Sequence, residues 1–162
     1  NIHAINQAHN AGVPRFVFLS TVENNLPDFF LRGYFEGKRR AEQELLRTYP
    51  EPGAGVVLRP SFMYGTRMIP QLGESAGLPL GLLGRPLELL FDNSVASKAR
   101  HALPGMMALL APPISVDSVA KVALRVAVGA EYAMAVCANP PNSHTKNVLS
   151  RDDIAHIASL TP

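Results

Sequence analysis

Tryptophan is absent, cysteine occurs once, and only 17% of the residues are charged. Each scarcity closes off a class of protein. The lone Cys137 excludes an internal disulfide, and it has no metal-ligand spacing around it. It lies in the apolar stretch "YAMAVCANP" and reads as a buried thiol rather than a nucleophile. The low charge accompanies 47% apolar residues, a balance that argues against disorder. The net charge of +2, with no basic stripe interleaved with aromatics, gives no footprint for nucleic acid. The histidines at 3, 9, 101, 144 and 156 are scattered, and no pair has strong metal-ligand spacing. Long apolar runs are missing too: "HALPGMMALLAPPISV" is broken by Pro104, Pro112 and Pro113 and is shorter than the ~20 residues of a membrane span. No signal peptide is legible, and the first residue is Asn1 rather than methionine. The most telling absence is a glycine-rich turn after a strand. "GLPLGLLGRP" has glycines, but no strand precedes them and no βαβ context surrounds them.

What is present fits one domain, since 162 residues can bury a sizeable core without staples. "IHAINQAHNAG" reads as a short helix with Ile2, Ile5 and Ala8 on one stripe, closed by Gly12. "FVFLS" is a continuous apolar run with the composition of a strand buried on both faces. A helix is expected from about Arg32 to Arg47, stopped by "YPEPGAG", followed by a second buried strand in "VVLRP". This alternation is the rhythm of a doubly wound α/β sheet. Residues 61–115 are rich in Gly, Pro, Leu and Met, with short helices expected near Pro86–Leu90 and Lys98–Leu110. A helix in "SVDSVAKVALRVAVG", started near Ser115 or Asp117 and ended by Gly129, precedes a third expected strand in "YAMAVCA". "SRDDIAHIASL" is a closing helix capped by Ser150.

The helix at "RGYFEGKRRAEQELL" carries the chemistry. Tyr34, Lys38, Ala41 and Leu45 share one face, with a phenol and an ammonium one turn apart. Packing alone can produce such a pair, with Tyr34 in contact, Lys38 extended to water and Gly37 admitting a neighbour. Lys38, Arg39 and Arg40 read as a solvated basic face. The flanking strands point further. One ends in Ser20-Thr21 and the other in "LRPSFMYG", so both deliver residues to the carboxyl rim where α/β folds build sites. A phenol is a poor base near neutrality, and an adjacent ammonium favours its phenolate. With a Ser or Thr hydroxyl orienting a carbonyl or alcohol, such a set supports proton transfer coupled to hydride transfer. In that arrangement the lysine also holds the ribose of a nicotinamide cofactor.

"AGVPRFVFLST", "GYFEGKRRAEQELL", "GVVLRPSFMYG" and "PPISVDSVAKVAL", in this order, resemble the extended, atypical branch of the short-chain dehydrogenase/reductases. The likeness runs from about Asn1 to Gly129 and is nearest to organellar NAD(P)-binding proteins of plants and algae. Those in turn resemble a mitochondrial protein of ubiquinone biosynthesis and a dehydrogenase-like accessory subunit of respiratory complex I. The resemblance implies an α/β fold: an incomplete doubly wound, Rossmann-like parallel sheet in one partial domain over 1–162, with a small helical substrate lobe at 66–112. It makes Tyr34 the acid/base, Lys38 its partner and Thr21 the active-site hydroxyl, with Ser20 as neighbour. Pro60, Ser61, Phe62 and Met63 then line the nicotinamide pocket. NADP or NAD is the implied cofactor, and its glycine-rich half is missing from this chain. The implied activity is an oxidoreductase or isomerase acting on an apolar carbonyl or alcohol, with the fragment inactive alone. The alternative is a non-catalytic cofactor-binding assembly or accessory protein of an organellar, respiratory or quinone-related complex. Implied partners are the missing amino-terminal half or a partner chain, organellar complex subunits or a membrane surface, and no nucleic acid. The implied compartment is a mitochondrion or chloroplast. Without its preceding neighbour, strand 16–20 is expected to expose an apolar edge.

Overall fold

The computed structural model describes residues 1–22, 32–68, 77–79, 112–143 and 145–160. Five helices and seven short strands occur among them. They divide into two compact units, one running to Pro60 and resuming at Ser118, the other running from Ser61 to Asp117.

The first unit is built on a parallel three-stranded sheet. β1 (Phe16–Leu19) pairs with β2 (Gly55–Leu58) in the register Phe16↔Gly55 to Leu19↔Leu58, and β2 pairs with β7 (Val148–Leu149). α1 (Ile2–Asn10) precedes β1, and α2 (Arg32–Thr48) is the crossover from β1 to β2. Apolar side chains at helical spacing on α2, above all Ala41 and Leu45, meet Ile5 of α1 and Phe18, Val57 and Val148 of the sheet in one buried cluster. Val56 and Leu58 alternate with Val57 and are buried as well, so the central strand β2 is covered on both faces. β1 is less covered than expected. Leu19 is 41% exposed, and among the described residues β1 pairs only with β2. Among the described residues β1 is therefore an edge strand, with Leu19 its exposed apolar residue.

α1 and α3 (Val116–Val128) end as their glycines predict, at Gly12 (φ 72°) and Gly129 (φ 74°). Ser115 directly precedes α3 and Asp117 sits in its first turn, favourably placed for the helix dipole. Buried Val119, Val122 and Val126 form the apolar stripe of α3, and Arg125 donates to the carbonyl of Ile157. α5 (Arg151–Ser159) begins with a capping box in which Ser150 and Asp153 satisfy each other's backbone N–H groups.

One expected strand is a helix. "YAMAVCA" lies in α4 (Glu131–Ala138), with Ala133 and Cys137 buried one turn apart. Alanine favours helix, and an acidic residue in the first turn complements the dipole. The third place in the sheet goes instead to Val148 and Leu149, led in by Asn147 in the left-handed region (φ 62°). Asn147 is held by both ends of its amide: Oδ1 accepts from the Gly53 N–H at 2.8 Å and Nδ2 donates to the Glu51 carbonyl at 2.9 Å.

In the second unit β3 (Met63–Tyr64) pairs in parallel with β6 (Ile114–Ser115), and β4 (Thr66–Met68) pairs antiparallel with β5 (Gly77–Pro79). The helices expected near 86–90 and 98–110, and most of the lobe at 66–112, lie outside the described residues. The fold is mixed α/β with small parallel sheets. No helix among the described residues is long and apolar enough to cross a membrane.

Candidate functional site

The carboxyl end of β1 and the first turns of α2 come together at one place. Lys38 Nζ donates to the Leu19 carbonyl at 2.7 Å and lies 4.8 Å from the centroid of the Phe18 ring. An ammonium over an aromatic face gains roughly 0.5–1 kcal/mol at exposed sites. The same nitrogen is 5.8 Å from the Tyr34 centroid, so phenol and ammonium are neighbours as the spacing predicts. Tyr34 is 52% exposed and rests edge-on against Phe35.

Tyr34 and Lys38 stand on the wall of a cleft of about 470 Å³ completed by Ile2 and His3 of α1 and by Gly33 and Gly37 of α2. Among the described residues Gly37 admits no neighbour: none lies within 4 Å of a Cβ placed there or on Gly33, so both glycines keep the cleft wall low. Gly37→Ala therefore gains helix propensity without a clash, about 0.5–1 kcal/mol. Its thermal midpoint is expected to rise; a fall would show that the glycine is needed for packing.

Ser20 and Thr21 do not form part of that wall. Ser20 is buried, and its amide continues the sheet by donating to the Leu58 carbonyl at 2.8 Å. The Thr21 carbonyl accepts from Arg39 Nη2 at 3.0 Å. Pro60 is buried at the end of the first unit. In the second unit Ser61 is buried and donates to the Pro112 carbonyl, whereas Phe62 (69%) and Met63 (36%) are exposed. The implied pocket segment is thus divided between the two units.

The basic face of α2 needs correction. Arg40 is solvated, but Arg39 is largely covered and bound to Glu42, a carboxylate only 3% exposed. Glu42 also takes Arg59 as a two-point clamp, Nε to Oε1 at 3.2 Å and Nη2 to Oε2 at 2.6 Å. Burial pushes the Glu42 carboxyl up. The hydrogen bonds from Arg59, the Ser20 hydroxyl and Arg39 outweigh it and hold the group below its ordinary value. Ser20 Oγ lies beside the carboxylate but makes no hydrogen bond of good geometry among the described residues. Sequence reasoning passed over Glu42 and Arg59. The available signal was a glutamate between Ala41 and Leu45 on the core side of an amphipathic helix, because buried glutamate requires a partner. Cys137 is buried, and desolvation with the nearby Asp153 pushes its thiol up to about 11, which suits an inert packing group.

No family model matches the chain, and no solved structure matches it. The uncharacterized chloroplastic protein At1g32220 of Arabidopsis thaliana is 43% identical over 122 residues, an alignment that covers 74% of this chain. The chain spans 39% of the length of that curated relative.

Proposed function

We propose that the chain is the carboxyl-terminal part of an NAD(P)-dependent oxidoreductase of the short-chain type, acting on an apolar carbonyl or alcohol in the chloroplast. Its sheet is then the second half of a doubly wound, Rossmann-like fold. The observation that carries this reading is the pairing on α2: an exposed Tyr34 on a cleft wall, one turn from a Lys38 ammonium pinned at the carboxyl end of a parallel strand. Tyr34 exchanges the proton with the substrate oxygen, and the family likeness gives Thr21, at the exit of β1 and off the cleft wall, the role of orienting hydroxyl. Lys38 spends one of its three donors on Leu19, which leaves two for a ribose. The cofactor, when bound, supplies the hydride chemistry. The compartment follows from the relative, which is chloroplastic.

The topology supports a preceding half. α1 packs on α2, the crossover between the parallel strands β1 and β2, a connection that is right-handed in nearly all such units. A strand leading into α1 by the same handedness falls on the edge of β1 opposite β2. Leu19 is exposed at that strand.

One observation favours a second reading, a non-catalytic cofactor-binding accessory protein of an organellar complex. Lys38 already has a structural duty, tying α2 to β1 and covering Phe18. Calorimetric titration of NADPH and NADH decides between the two, using the 162-residue chain and a form extended upstream. Micromolar binding by the extended form alone, with turnover of apolar aldehydes that disappears in Tyr34→Phe, supports the enzyme. Binding without turnover overturns it for the accessory role, and no binding by a folded extended form overturns both. Tight binding by the short chain overturns the half-fold.

A further inference from the structure

Two residues at the exit of β1, Leu19 and Thr21, are each held by a different side chain of α2, and a third α2 side chain lies beside Ser20 between them. Lys38 donates to the Leu19 carbonyl at 2.7 Å, Glu42 lies against the Ser20 hydroxyl, and Arg39 donates to the Thr21 carbonyl at 3.0 Å. Glu42 is the hub, because it binds Arg39 and, through two bonds, Arg59. Arg59 directly follows β2, and its amide donates to the Leu149 carbonyl at 2.9 Å. A single carboxylate therefore links the exits of β1 and β2 to the helix that carries Tyr34 and Lys38.

Stability alone does not explain such a cluster. An apolar contact of the same volume at a buried ion pair is often as stable or more so. Apolar contact would, however, let the helix slide or roll on the sheet. Charge-assisted hydrogen bonds to a guanidinium plane fix direction as well as distance. Neither Glu42 nor Arg39 lines the cleft, so neither is placed to touch a ligand there.

We propose that Glu42 and Arg39 are positioning residues, which fix the Ser20–Thr21 segment relative to Tyr34 and Lys38. The catalytic consequence rests on the oxidoreductase reading; the geometric one does not. Arg39→Gln is the sharper variant, since it removes the tie to Thr21 and leaves the Glu42–Arg59 clamp in place. Glu42→Gln is the second, releasing both arginines.

The test has two readouts. By nuclear magnetic resonance on the 162-residue chain, the Thr21 carbonyl carbon shift is expected to move and the Thr21 methyl to lose order in both variants. The methyls of Leu45 and Val57, in the core, keep theirs. In the extended protein kcat is expected to fall about tenfold or more, as small misplacements of a reacting pair do. The cofactor KM stays within about twofold, the pattern of an interaction felt at the chemical step. Arg39→Lys, which reaches either Thr21 or Glu42 but not both, recovers part of the loss. Unchanged Thr21 signals in a folded Arg39→Gln overturn the proposal. Moved signals with undiminished kcat overturn its catalytic half. If the extended wild type turns nothing over, the oxidoreductase reading fails, and the Thr21 signals alone decide the positioning role.

Discussion

Glu42→Ala is expected to lose about 3 kcal/mol of folding stability, the low end of the cost of breaking a buried ion pair. The low end applies because the stranded partners have an escape. The Arg39 and Arg59 side chains are about a quarter exposed and can turn toward water. What remains is the space left by a carboxylate side chain that is only 3% exposed. In a chain of this size the loss lowers the melting midpoint by roughly 6–12 °C. The same carboxylate sets part of the acid sensitivity. Its folded value lies below the unfolded 4.5, so its stabilisation is complete above that pH and fades as pH falls through the lowered value. Chemical denaturation of the wild type should therefore show stability dropping below pH 4.5, with a shallower drop in Glu42→Ala. Parallel acid limbs in the two proteins would show that Glu42 is unpaired in solution.

Asp153→Ala is expected to cost a similar amount, about 3 kcal/mol, for a different reason. This side chain is fully buried, and among the described residues it sits against donors rather than a cation. Oδ2 accepts from the Ser150 amide at 2.9 Å and the Ser150 hydroxyl at 2.7 Å. Oδ1 accepts from the Asn142 amide at 3.1 Å and from Asn142 Nδ2 at 2.9 Å. Hydrogen bonds to a charged acceptor contribute about 1.5–3 kcal/mol each, and orphaned buried donors add a penalty. Asp153→Asn should recover little despite its shape, because an amide offers one acceptor oxygen and turns its NH2 toward the other pair of donors. Ser150→Ala, which loses only the cap, should cost about 1 kcal/mol. Equal losses for Ser150→Ala and Asp153→Ala in denaturant titrations would mean that the Asn142 contacts contribute nothing.

The features legible in the sequence are those that a local rule determines. Gly12 and Gly129 close their helices in the conformation that favours glycine, and Ser150 caps α5. The apolar runs of β1 and β2 form paired strands, and the Tyr34–Lys38 spacing brings phenol and ammonium side by side. What was illegible depends on partners distant in sequence. "YAMAVCA" has an apolar run too short for periodicity to separate strand from helix. The strand that fills that place has two residues, defined by its partner rather than its composition. Glu42 looked like one charge among several on a basic helix, and its clamp by Arg59, 17 residues on, exists only once the crossover is made.

The sheet order also sets a schedule. β1, α2 and β2 are consecutive in the chain, whereas the far edge of β2 waits for a segment whose anchoring pair, Gly53 and Asn147, is 94 residues apart. Closing so long a loop loses more chain entropy and is slow to reward. Until it closes, the central strand of the finished sheet presents an unsatisfied hydrogen-bonding edge, the kind of edge on which another strand can pair. The strand most covered in the finished sheet is therefore the one whose edge stays open longest if the distant segment is slow to dock.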